Sequence, residues 1–124
     1  MSDIRANTIS DAAGTGPIDL YKQSAAKAWS NHNPSVGSIR DSFNISSITD
    51  LSTAADTLSF SSAMSSANYG VSGTANGSTS GSNVGRFLCP YNYSTSSITA
   101  VTQRADNSAA SSPLANLSIH GDLA

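Results

Sequence analysis

The sequence predicts an all-β fold: a small antiparallel β-sandwich, jelly-roll-like, with an extended N-terminal arm. Three observations carry this expectation. Short apolar runs alternate with polar residues at period two, as in "TLSFSS" and "NYGVSG", which suits half-buried strands. Clusters of Gly, Asn, Asp, Ser and Pro separate those runs and supply turns. Glutamate is absent and charged residues make up only 11% of the chain, against about 25% in typical soluble domains, so the usual material of exposed helix faces is missing.

At 124 residues and 12.6 kDa the chain is long enough for one domain with a limited core. Its formal net charge is −2, with six Lys and Arg scattered singly. That leaves no electrostatic footprint for nucleic acid and no polybasic membrane patch. The single cysteine, Cys89, forms no internal disulfide and is expected to be a small buried hydrophobe. The start "MSDIRANTISDAAG" has no apolar signal-peptide region, and no run approaches a membrane span. Synthesis in the cytoplasm follows as the expectation.

Residues 1–20 carry isolated apolar side chains, Ile4, Ile9, Ile18 and Leu20, around "SDAAGTGP". Neither helical nor strand period fits them, so they predict an arm that orders on a neighbouring surface. These four are the candidate particle-attachment residues, and residues 21–124 form the expected β-domain. Next comes "KQSAAKAWSNHN". Ser24 to Trp29 has helical propensity, whereas "WSNHN" before Pro34 opposes a helix. Residues alone leave both readings open.

In "SIRDSFNISSIT" the positions Ile39, Phe43 and Ile45 share one face, and Asp41 places the strand start near Ser42. Leu58 and Phe60 alternate with serines in the next strand, and Tyr69 and Val71 in the one after. Residues 72–83, rich in Gly and Ser, predict a projecting loop. In "VGRFLCPYNY" the side chains of Phe87, Cys89, Tyr91 and Tyr93 share a face, and Pro90 implies an edge or a bulge. "SSITAVTQ" and "LANLSIHGD" supply the last two strands. The expected core is Phe43, Ile45, Leu58, Phe60, Tyr69, Val71, Phe87, Leu117 and Ile119. So few large apolar residues argue for additional burial between subunits, hence a homo-oligomer.

Catalytic signatures are weak. No G-x-S-x-G elbow occurs, the two histidines His32 and His120 sit in no metal-ligand cluster, and most Asp residues occupy turn contexts. His120 with Asp122 is the only local acid–base pairing. The expectation is therefore no enzyme, no cofactor and no metal. Tyr91 and Tyr93 are candidate glycan contacts, because aromatic faces stack on sugar rings.

Taken in order, "MSDIRANTISDAAGTGPIDLYKQSAAKAW", "IRDSFNISSITD", "LSFSSAMSSANYGVSG" and the closing "LSIHGD" resemble the small tail-fibre-like, virion structural proteins of tailed bacteriophages. The resemblance covers nearly the whole chain and is strongest from Met1 to about Gly73. It implies that the Trp segment is a strand, with Lys27, Trp29, Asn31 and Asn33 on one face and Ala26, Ala28, Ser30 and His32 on the other. It also implies a non-enzymatic protein of the virion surface, a capsid decoration, turret or short fibre. Such a protein is made in the host bacterial cytoplasm and forms a trimer or higher oligomer. Its partners would be the major capsid protein or a tail component, with no nucleic acid and no membrane. The alternative within the same resemblance is the receptor-binding knob of a tail fibre, recognising a host surface glycan. A chain of this length holds no fibre shaft, which favours the structural component.

Overall fold

The computed structural model describes residues 25–78 and 85–124. The attachment candidates Ile4, Ile9, Ile18 and Leu20 lie outside the described residues. Among the described residues there are eight strands and no helix: β1 Ala28–Asn33, β2 Ser38–Phe43, β3 Ile45–Ser52, β4 Ala55–Phe60, β5 Gly70–Asn76, β6 Gly85–Tyr91, β7 Ser97–Gln103 and β8 Leu114–His120. The all-β antiparallel class is as expected. The strands form one nearly closed sheet in the order β2-β1-β8-β5-β6-β7-β4-β3.

The sequence explains how that sheet folds over. β5 meets β6 only at Ala75–Arg86 and Asn76–Gly85. Beyond that point β5 continues along β8 and β6 along β7. The sheet therefore bends into two facing halves, β2-β1-β8-β5 and β6-β7-β4-β3, with the core between them. Pro90 lies on the part of β6 that, among the described residues, pairs with β7 alone, where a missing N–H on the other side costs no ladder bond. At the far ends, β2 and β3 are consecutive in the chain and only Asn44 separates them. A covalent link closes that seam.

β1 settles the Trp-segment ambiguity in favour of a strand. Its side chains alternate: Ala28, Ser30 and His32 are buried, while Trp29 is 37% exposed. The turn into β2 uses local chemistry. Asn33 Oδ1 accepts from the Ser35 N–H at 3.0 Å, and the Asn33 carbonyl accepts from the Val36 N–H at 3.3 Å, with Pro34 between them. Gly37 follows with φ +56°, and a Cβ there would run into the Asp50 side chain, so both conformation and space require glycine.

The core comprises Ala28, Leu58, Phe60, Met64, Tyr69, Ile98, Ala100, Leu117 and Ile119, with Ile45, Ile48, Val71, Leu88 and Leu123 packed around it. Two expected core residues are corrected: Phe43 and Phe87 are 54% and 56% exposed. For Phe43 the cause is a bulge. Asp41 pairs with Asn31 and Ile39 with His32, so Arg40 is an extra residue in β2. One inserted residue inverts the face of everything beyond it. Ile39 thus points inward with His32, and Phe43 points outward beside Trp29. The bulge also brings the strand start back to Ser38, ahead of the expected Ser42. In β6 the period is as expected, but the Phe87, Cys89, Tyr91 face is the outer one, and Leu88 turns inward. Cys89 is accordingly half-buried. The loop expected from residue 72 starts later, because β5 runs through Asn76 on its pairing with β8.

Candidate functional site

The strongest surface feature is the outer face of the half formed by β2, β1, β8 and β5. Register aligns its side chains in rows across the strands. One row runs Phe43, Trp29, Ser118, Ser72, and the next runs Asp41, Asn31, Asn116, Thr74. These positions follow from strand alternation, since their neighbours Ala28, Ser30, Leu117 and Ile119 are buried. Between the rows lies an open groove of about 560 Å³ lined by Trp29, Asn31, Ser72, Thr74, Asn116 and Ser118. The described residues of its walls carry no charge. A second hollow of about 340 Å³, reaching Asn76, Arg86 and Leu114, shares Thr74 and Asn116 with it. Such a surface offers one indole face together with amide and hydroxyl groups that both donate and accept hydrogen bonds.

Tyr91 and Tyr93 stand elsewhere. Tyr91 is 39% exposed on the outer side of β6, opposite Thr99. Tyr93, beyond the strand, packs its ring on Tyr69 with centroids 5.2 Å apart. Tyr69 in turn donates to the carbonyls of Ser94 or Ser97, each at 3.1 Å. Tyr93 therefore helps to roof the core, and the two tyrosines share no wall of the groove. His120 pairs with Ser118, Nε2 to Oγ at 3.2 Å, and among the described residues it makes no ion pair with Asp122.

A polar cluster inside the protein escaped the sequence reading. His32 points in from β1 and Asp56 from β4, one from each half, with Nε2 and Oδ2 4.0 Å apart. Ser30 Oγ lies 3.1 Å from His32 Nδ1. All three residues are at most 2% exposed. His32 Nε2 and both Asp56 oxygens have no hydrogen-bond partner among the described residues. Burial, and then the Arg40 guanidinium, pull the imidazole down to about 4. Burial, and then Asp50 directly opposite on β3, push the carboxyl up to about 7. Serine, histidine and aspartate in contact are the residue types of a hydrolytic triad, but at this depth no substrate reaches the hydroxyl. The only sequence signal was His32 at an inward strand position, and its partner depends on how the two halves face each other.

No protein-family model matches the chain, and neither a curated protein nor a solved structure matches it. Among the described residues no cluster of His, Cys, Asp or Glu is arranged to hold a metal ion, and no helix is long and apolar enough to cross a membrane.

Proposed function

We propose that the chain is a non-enzymatic structural protein of the surface of a tailed-phage virion, a capsid decoration, turret or short fibre, assembled as a homo-oligomer. Support comes from the sequence resemblance and from one structural observation, the side-by-side placement of Phe43 and Trp29 at the outer edge of the sheet. Phe43 is 54% exposed and Trp29 37%, on paired positions of β2 and β1. Adjacent exposed aromatics on so small a domain favour burial against another protein surface. Among the described residues β2 ends the sheet and pairs with β1 alone, so its outer edge offers backbone groups for the same contact. Sedimentation of the full chain tests this. The expected result is an oligomer that Phe43→Ser converts to monomer without loss of folding. A native chain that is monomeric at tens of micromolar overturns the assembly. In purified virions, quantitative mass spectrometry against the major capsid protein is expected to give a ratio near or above about one in ten for a lattice component. A ratio below about one in fifty overturns that placement in favour of the tail.

A second reading is favoured by the lining of the groove: the chain binds a neutral host-surface glycan there. The Trp29 indole stacks on the apolar face of a sugar ring, and Asn31, Asn116, Ser72 and Thr74 bond its hydroxyls. Calorimetric titration with a panel of neutral oligosaccharides is expected to find a binder. Trp29→Ala is expected to weaken that binder at least tenfold, a loss of about 1.4 kcal/mol, at unchanged Tm. Binding that survives Trp29→Ala places the sugar elsewhere.

A further inference from the structure

The interior pair stands apart from any surface role. His32 and Asp56 come from the two facing halves, are buried, and leave three polar atoms without partners among the described residues. A buried unpaired charge is costly, and so is each unsatisfied polar atom. Among the described residues the charged and polar groups around the pair are few. Ser30 meets Nδ1 on β1. On β2, Arg40 donates to the His32 carbonyl at 3.0 Å, to Asn31 Oδ1, and to the Pro113 carbonyl. Asp50 opposes Asp56 from β3. From β7 and β8 the directly opposite residues are Ala100 and Ala115, and Thr102 spends its hydroxyl on the carbonyls of Ala54 and Ala110. The cationic Arg40 thus sits on the imidazole side and the anionic Asp50 on the carboxyl side. Both neighbours oppose an imidazolium–carboxylate ion pair.

We propose that His32 and Asp56 hold a single proton between them in the core, carried on the carboxyl group, so that the two halves close as a neutral pair with no net proton uptake in mildly acidic solution. In the unfolded chain the same proton resides on the imidazole and the carboxyl is ionised. Folding moves it from ring nitrogen to carboxyl oxygen, and nothing else is gained or lost. The neutral imidazole then keeps its proton on Nδ1 for Ser30 Oγ and presents a lone pair at Nε2 toward Asp56.

The signs follow from linkage. A carboxyl raised from 3.8 to about 7 gives stability that is full below about 4 and falls as pH rises through 7. An imidazole lowered from 6.5 to about 4 gives a penalty that is relieved as pH rises from about 4 to 6.5. Across that shared window the two slopes are equal and opposite. The intact pair makes folding indifferent to pH there, and either partner alone makes it strongly dependent.

Urea unfolding of the full chain between pH 4.5 and 6.5, followed by its only tryptophan, tests this. The unsubstituted chain is expected to show an almost level unfolding constant. Relative to it, His32→Phe is expected to raise the constant about tenfold per pH unit as pH increases, and Asp56→Asn to lower it about tenfold per unit. Parallel, pH-independent losses in both variants overturn the proposal, because they report lost packing alone. Should either variant not fold, NMR of the unsubstituted chain at pH 5.5 decides the matter. Protonated Asp56 13Cγ and neutral His32 15N shifts are expected, and the shifts of a carboxylate with an imidazolium overturn it.

Discussion

Asn44→Ala is expected to lower stability by about 3 kcal/mol, which for a domain of this size lowers Tm by roughly 12 °C. Asn44 is the single residue between β2 and β3, at φ 56°, a conformation that alanine adopts at a cost of about 1 kcal/mol or more. Its side chain also ties three parts of the chain together. Nδ2 donates to the carbonyls of Lys27 and Ser62, each at 3.0 Å, and Oδ1 accepts from the Ser62 N–H at 2.6 Å. The Asn44 carbonyl accepts from Ser61 N–H at 3.1 Å. Entry into β1, the seam between the sheet ends and the exit from β4 therefore depend on one amide. Asn44→Gly separates the contributions: it permits the left-handed conformation but makes no side-chain bond, so a loss of about 2 kcal/mol is expected. Denaturant titration of the three chains checks this. Equal stability of Asn44→Ala and the native chain would show that the seam does not need the amide.

The second large effect is expected at Gly73, where β5 passes closest to its neighbours. A Cβ there would meet the Asn116 carbonyl oxygen at 2.5 Å and the Leu88 side chain. Leu88 can turn aside, but the carbonyl belongs to β8 and is held by the ladder between Gly70 and Asn76 and their partners. Gly73→Val is therefore expected to cost about 3 kcal/mol or more, because overpacking here displaces backbone. Gly70 is the control. Among the described residues a Cβ at that position has only the His120 carbonyl within 4 Å, at 3.8 Å, so Gly70→Ala is expected to be neutral or to stabilise by up to about 1 kcal/mol through the unfolded chain. Thermal unfolding of both variants tests the contrast. Equal effects at the two glycines would mean that the β5–β6 corner yields more readily than its packing suggests.

Particular residues show how far the sequence could be read. The strand content and the antiparallel class were legible, whereas for Ser24 to Trp29 the residues left helix and strand open, because Ala and Lys favour one and the approach to Pro34 the other. Leu58, Phe60, Tyr69, Leu117 and Ile119 were correctly placed in the core, with Ile45 and Val71 at its margin. Phe43 was misplaced because period-two alternation carries parity across a segment, and the bulge at Arg40 resets it without a compositional mark. Phe87 was misplaced for another reason. Alternation separates two faces but does not say which one is inside, and size alone favoured Phe87 over Leu88. The groove was legible only in part: Trp29 drew notice as the sole tryptophan, while Asn116, Ser118 and Thr74 join it through pairing of β1, β8 and β5. The tyrosines Tyr91 and Tyr93 looked equivalent in sequence and were parted by the end of β6.

Local chemistry, written residue by residue, thus determined that this chain makes short strands and where most of them turn, because φ preference, hydrogen-bonding side chains and period two act over a few residues. The tertiary structure alone decided which face of β2 and β6 is buried, that β2 and β3 meet at Asn44, and that His32 faces Asp56. Those outcomes depend on register and on the approach of the two halves, and contacts between residues distant in the chain are set by packing rather than by local preference.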